Sequence, residues 1–254
     1  VSVVAAGAAP GSALAAGRRA AARRLRRAAA PLAGSVVGVR TVAPQVVLTF
    51  DDGPEPGGTD RVLAALADAG ATATFFVLLT RVRRYPSLLD EVVAAGHEVA
   101  LHGVDHRPLP AVPVEEVARL TRSGRAELED ATGLPVRWHR PPYGRQTLAT
   151  RRAVARAGLE PVLWGPSTWD WKDVPPADRI ARSRLGLRPG AIVLAHDGTA
   201  GPDDLADDGP APVLDRGALV AEVLAGYAER GLAARSLREV AQGGRLVREL
   251  RLTR

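Results

Sequence analysis

Two adjacent carboxylates, Asp51 and Asp52, stand at the end of the apolar run VVLTF and are followed by Gly53 and Pro54. Neighbouring acids repel, so either the pair is a solvated turn or a cation sits between it and other residues. Residues able to complete a cation site recur along the chain. LHGVDH places His102 and His106 four residues apart, a spacing at which two imidazoles in a helical turn or compact loop bind one metal ion. Two His and one Asp leave open coordination positions, as a catalytic metal requires. Such an ion polarises a carbonyl and lowers the pKa of a bound water. One Asp would then be a ligand and the other would be free to take a proton from that water, the cation offsetting their repulsion.

The elements that must position these groups can be read from the periodicity. TDRVLAALADAG has Val62, Leu63 and Leu66 at helical spacing, with Thr59 as the expected N-cap. SLLDEVVAAG and RGALVAEVLAGYAERG gather Leu88, Leu89, Val92, Val93 and Leu219, Val220, Val223, Leu224 on one face each. A glycine and then a strand-like run follow at Gly70, Gly96, Gly133, Gly158, Gly190 and Gly231, as expected of left-handed C-terminal caps. Strands alternating with helices predict an α/β fold with a parallel sheet and crossover connections, closed or partly closed as a (β/α) barrel, with an open doubly wound sheet as the alternative. The conspicuous polar residues all fall just past strand C-termini. Asp51 and Asp52 follow VVLTF; His102 and His106 follow EVAL; His139 and Arg140 follow VRW; a Trp- and Asp-rich turn follows PVLW; His196 and Asp197 follow IVLA. In a parallel barrel these ends share one face, where active sites are built.

Composition narrows the chemistry. The 254 residues suffice for one large domain and hold no cysteine, so any metal must be held by His, Asp or Glu. No run of about 18 apolar residues is present, so no transmembrane segment is expected. The net charge of +6 is almost wholly arginine, Lys172 being the one lysine. No recognition motif accompanies that charge, and no nucleic-acid partner is expected. Residues 1–40 read as an Ala/Arg-rich extension of helical composition, ahead of a catalytic domain over 41–254. Their basic segment RRAAARRLRR follows the weakly apolar run, whereas a secretory signal has its charges first. Localisation and oligomeric state are not specified.

Five segments in order resemble the polysaccharide deacetylases, the family 4 carbohydrate esterases that share the homology domain of the rhizobial chitooligosaccharide deacetylase. They are TFDDGP (49–54), GHEVALHGVDH (96–106), RPPYG (140–144), STWDW (167–171) and IVLAHD (192–197), and the similarity runs from about Gln45 to Val240. The resemblance implies a distorted (β/α) barrel of about seven parallel strands. It implies Asp51 as general base, Asp52, His102 and His106 as metal ligands, and His196 as general acid. Arg140 and Asp170 would orient base and acid, the Tyr143 backbone N–H would bind the oxyanion, and Trp171 and Leu194 would wall the acetyl pocket. The implied function is a metal-dependent hydrolase removing N-acetyl groups from GlcNAc-containing glycans, peptidoglycan or chitin-like oligomers. The ligand types admit Zn, Co, Ni or Mn, with Zn the default. The same fold acting on O-acetyl esters or a small-molecule C–N amide is the alternative.

Two positions depart from the family pattern: Gly103 stands where a Ser or Thr is usual, and Ser167 where an Asp is usual. Other residues carry weaker expectations. His97 reads as structural; His139 as either a groove or a surface residue; Asp105 as a partner for an imidazole or a solvent-facing acid. Trp164 and Trp169 could stack on sugar rings, and Asp203, Asp204, Asp207 and Asp208 read as a solvated loop.

Overall fold

The run from Val46 to Phe50 forms a strand whose two faces have different fates. Val46, Leu48 and Phe50 pack into the core beneath the helices, while Val47 packs into a second core enclosed by the strands. Strand side chains alternate, so Thr49 and Asp51 share the enclosed face with Val47. The same parity recurs elsewhere. Ala100 leads to His102, Trp138 to Arg140, and Ile192 to Leu194 and His196, with Ala100, Trp138 and Ile192 all in the enclosed core. Each strand thus runs apolar at its base and polar at its C-terminal end.

The computed structural model describes residues 33–253 together with positions 24, 28 and 30. The chain proceeds through β1 (Ser35–Arg40), β2 (Gln45–Asp51), α1 (Thr59–Asp68), β3 (Thr74–Leu78), α2 (Leu79–Arg84), α3 (Pro86–Ala94) and β4 (Glu98–Gly103). It continues through α4 (Val114–Thr132), β5 (Trp138–His139), α5 (Leu148–Arg156), β6 (Glu160–Pro161), α6 (Pro176–Arg184) and β7 (Ile192–His196). The last elements are α7 (Arg216–Ala228), β8 (Ala233–Arg235), α8 (Leu237–Gln242) and β9 (Arg245–Glu249). Strands β2 to β8 make one seven-stranded sheet in the order β6-β5-β4-β3-β2-β7, with β8 also on β2. Every pairing in it is parallel. β2 forks: its first residues pair with β8 and its last with β3.

The gap between β6 and β7 is spanned by β1, which pairs antiparallel with β9. β1 bridges to Val162 on one side and to Ala191 on the other. This gives the expected distorted barrel. β1 begins at Ser35, inside the stretch read from sequence as an extension; most of the rest of that stretch lies outside the described residues. Among the described residues, no helix is long and apolar enough to cross a membrane.

The predicted helix faces are the buried ones: Val62 and Leu66 in α1, Leu88, Leu89 and Val92 in α3, and Leu219, Val220, Val223 and Leu224 in α7. All six glycines named above have positive φ. At Gly133 this ends α4, whose last turn is capped by the Gly133 N–H on the Glu129 carbonyl at 2.9 Å. Thr59 differs from expectation. It is the first residue of α1 rather than its cap, because its hydroxyl donates to Asp197 Oδ2 at 2.6 Å across the fold.

Candidate active site

Asp51 ends β2 in the strand's own parity, so the next side chain should point away from the interior. Asp52 instead adopts φ 76, a left-handed conformation uncommon outside glycine and one that breaks the alternation. Both carboxylates therefore face the same space. Asp52 Oδ1 lies 3.3 Å from His102 Nε2 and 3.3 Å from His106 Nε2. The ligand atoms of Asp52, His102 and His106 all lie within 4.8 Å of one another, and all three residues are buried.

Chemistry of the donors fits a metal ion. Asp52 Oδ1 is buried and has no hydrogen-bond partner, a costly state for a carboxylate oxygen unless a cation completes it. His102 Nδ1 is 2.8 Å from the Arg140 carbonyl; a carbonyl only accepts, so Nδ1 carries the proton and Nε2 presents a lone pair. Burial alone would raise the Asp52 pKa, but the facing imidazoles in their protonated form, His102 first by a hydrogen bond and then His106, His196 and His102 by charge, outweigh it and hold the carboxyl below its usual range.

Asp51 is held separately. Arg140 Nη1 donates to Asp51 Oδ1 at 2.6 Å and to Thr49 Oγ1 at 2.8 Å. Arg140 is fully buried, its guanidinium over the Phe76 ring at 4.1 Å. Burial lowers the Arg140 pKa, and the charge of Asp51 opposes that shift.

Register brings the last group in. β2 and β7 pair so that Asp51 is opposite His196. His196 Nδ1 is 2.8 Å from Asp170 Oδ1, and its backbone N–H donates to Asp170 Oδ2 at 2.7 Å. Burial disfavours the imidazolium, yet the Asp170 charge and hydrogen bond more than offset this and raise His196 to about 9. The Trp171 ring stands edge-on to His196 with centroids 5.1 Å apart.

These groups line one cavity of about 460 Å³, with Asp51, Asp52, His102, His106, Tyr143, Trp171, Leu194 and His196 all on its wall. Leu194 is buried and Trp171 is 41% exposed at the mouth. Tyr143 has φ 58, and its ring packs on His106 at 4.4 Å. Arg140 and Asp170 stand behind the wall, each reaching the cavity through the residue it holds.

Several polar residues differ from their sequence reading. Asp204 is fully buried rather than solvated. It accepts from Arg81 Nε at 2.8 Å and Thr80 Oγ1 at 2.7 Å, and its carbonyl accepts the His106 N–H at 2.7 Å. Asp208 lies on the cavity wall and accepts from the Tyr143 hydroxyl at 2.8 Å. Asp105 pairs with the backbone and guanidinium of Arg107 and not with an imidazole. His139 is buried, with burial lowering its pKa to about 3, so it is neither a groove nor a surface residue. His97 is buried against Phe75. Trp169 does not line the cavity; its ring carries Lys172 at 4.0 Å and Arg182 at 3.7 Å, while Trp164 does line it. A Cβ at Gly103 would fall 2.5 Å from the Asp105 carbonyl oxygen, so this path of the His loop excludes a serine.

Arg81 and Arg216 had no signal in the sequence, and Asp197 none beyond its place at the end of IVLA. Arg81 joins Asp204 to Glu55 Oε1 at 3.0 Å and to the Thr199 carbonyl at 2.6 Å. Arg216, at the start of α7, donates to the His196 carbonyl at 3.0 Å and to Thr199 Oγ1 at 2.6 Å. Asp197 accepts from the Gly53 N–H at 3.2 Å and from Thr59, locking the Asp51–Asp52 turn against the His196 turn. A Cβ at Gly53 would fall 2.0 Å from Asp197 Oδ2, which is why that turn carries glycine.

Comparison with known proteins agrees with this geometry. A family model described as polysaccharide deacetylase matches residues 38–162. A chitooligosaccharide deacetylase of a Bradyrhizobium species is 44% identical over 170 residues, 65% of this chain and 74% of that protein. One from Sinorhizobium fredii is 38% identical over 199 residues, 78% of this chain and 92% of that protein. Among solved structures, the family 4 carbohydrate esterase from Streptomyces lividans, in complex with acetate, superposes with a TM-score of 0.66 at 26% identity. That match covers 83% of this chain and 99% of the esterase.

Proposed function

This chain belongs to the polysaccharide deacetylase family, and we propose that it is a metal-dependent hydrolase removing N-acetyl groups from GlcNAc residues of chitin-like oligomers or peptidoglycan. The observation that carries the reading is the register of β2 on β7. It sets Asp51 directly across from His196 on the enclosed face, with the Asp52, His102 and His106 donors beside them. An acetamide is a weak electrophile with a poor leaving group, so its hydrolysis needs a base for water and an acid for nitrogen.

Asp52, His102 and His106 would hold a divalent ion, zinc by preference. When bound, that ion supplies the Lewis acidity that activates carbonyl and water. Asp51 accepts the proton of the attacking water, with Arg140 fixing the carboxylate through Oδ1 and leaving Oδ2 toward the cavity. His196 delivers a proton to the leaving nitrogen from Nε2, because Asp170 occupies Nδ1 and keeps the ring protonated. The Tyr143 backbone N–H would donate to the developing oxyanion, a contribution worth about 3–4 kcal/mol for one well-placed donor. Leu194 and Trp171 wall the space for the acetyl methyl.

The test is acetate release from GlcNAc oligomers and from peptidoglycan, using protein stripped by chelator and reloaded with Zn or Co. Metal-restored release that is absent in Asp51→Asn is the expected result, and the faster substrate identifies the polymer. No acetate from either glycan, with release from O-acetyl xylan or a small acetamide, would replace the glycan reading by the ester or small-amide one.

A further inference from the structure

The two imidazoles facing Asp52 have different surroundings behind them. His102 gives its Nδ1 proton to the Arg140 carbonyl. His106 Nδ1 is buried with no hydrogen-bond partner. An imidazole that binds a metal through Nε2 keeps its proton on Nδ1, and that proton needs an acceptor. The carboxylate facing it is Asp208, whose Oδ2 is 4.0 Å from His106 Nδ1, beyond hydrogen-bonding distance. That oxygen is not adrift: the Tyr143 hydroxyl donates to it at 2.8 Å, and the Tyr143 ring packs on His106.

We propose that Asp208 is the outer carboxylate of the metal site, closing onto His106 Nδ1–H when the ion is bound while Tyr143 guides its approach. The inference rests on the metal site described above. Three features make the movement easy. The Asp208 side chain is 48% exposed and unconstrained on its solvent side. Gly209 follows it with φ 76, a conformation glycine adopts without strain. The base of the same loop is already fixed to His106, because the Asp204 carbonyl accepts the His106 N–H and Arg81 pins the Asp204 carboxylate. A divalent ion held by His106 would draw the Asp208 charge inward and make Nδ1–H a stronger donor.

Metal binding would then shape the substrate wall as well as the reaction centre. Asp208, Gly209, Pro210, Ala211 and Pro212 form one side of the cavity. Asp208 is a positioning residue, acting on the metal through His106. Through that contact Asp208 would hold the rim of the pocket in place with metal bound and leave it looser without.

Zinc and cobalt affinities, measured by competition with a chromophoric chelator, test this without any substrate. Asp208→Asn and Asp208→Ala should bind zinc roughly 10- to 100-fold more weakly than the natural protein, the range typical of outer-shell partners. Tyr143→Phe, which frees the carboxylate from its guide, should show a smaller loss. The melting temperature of the metal-free protein should be the same in all three variants, which separates the effect from misfolding. Zinc should slow amide hydrogen exchange over residues 205–212 in the natural protein but not in Asp208→Asn. Affinities within twofold of the natural protein, or loop exchange indifferent to zinc, would overturn the assignment while leaving the metal site intact. A natural protein that binds neither ion would overturn the site and the assignment together.

Discussion

Arg140 donates from Nη1 to Asp51 Oδ1 at 2.6 Å while its own backbone carbonyl, 2.8 Å from Nδ1, fixes the tautomer of His102. One buried residue thus orients both the proposed base and a proposed ligand, the first by side chain and the second by main chain. The two functions separate on mutation. Arg140→Met removes only the guanidinium and leaves Asp51 buried without its counter-charge, a loss of about 3–5 kcal/mol by analogy with broken buried pairs. Acetate release should fall by about 10²-fold or more, as for loss of a competent general base. Zinc affinity should stay within a few-fold, because the carbonyl remains. A large loss of zinc affinity in a folded Arg140→Met protein would contradict this division.

The His196–Asp170 pair predicts a pH dependence of folding. The imidazole is raised in the folded state, to about 9 against an ordinary 6.5. Its contribution to stability is therefore fully present below pH 6.5 and is lost as pH rises through about 9. Urea denaturation of metal-free protein should show stability declining across that window, and Asp170→Asn should flatten the decline. Equal slopes in the two proteins would remove the pair as its cause.

Asp197 predicts a second trend at lower pH. Burial raises its carboxyl to about 7 in the folded chain from a usual value of 3.8. Stability from the protonated group is full below 3.8 and is lost as pH climbs through about 7. Asp197→Asn, which cannot ionise, should gain on the natural protein as pH rises over that interval, although it gives up one acceptor for Gly53 N–H or Thr59 at a cost of about 1–3 kcal/mol. Denaturation midpoints at pH 4 and pH 7.5 check the sign. A stability difference that does not move with pH would sink the argument.

Arg81 and Asp204 bind three loops into one floor. Their ion pair is buried and tied to Glu55, Thr80, Thr199 and, through the Asp204 carbonyl, His106. Asp204→Ala should destabilise by at most about 3–5 kcal/mol, since it removes the buried partner and leaves the guanidinium only the half-exposed carboxylate of Glu55. Arg81→Leu with Asp204→Leu should cost less than the two single changes together, because the partners share one interaction. Additive losses in the double-mutant cycle would show that the pair is not a unit.

The order of elements, the helix faces, the glycine caps and the barrel could be read from the chain because each rests on local periodicity. Alternation within VVLTF and IVLAH puts Asp51 in the parity of Val47 and His196 in that of Ile192, but the fold decides that this parity is the enclosed one. The five motifs contain eight residues of the cavity wall, but not Trp164 or the side formed by residues 208–212. What they could not carry is which loop meets which. Asp204 looks solvated in GPDDLADDGP because four acids and two prolines crowd one stretch, yet its partner Arg81 lies 123 residues away in sequence. Thr59 has every local feature of a helix cap, but its hydroxyl is claimed by Asp197, 138 residues on. Trp169 has the side chain for a sugar platform, but α6 puts Arg182 on its ring. Local sequence determined the strands, the parity of their side chains and the chemical groups at their ends. Tertiary structure alone decided the partners of those groups, since a buried charge is satisfied by whatever the closing of the barrel brings within 3 Å, at any sequence distance.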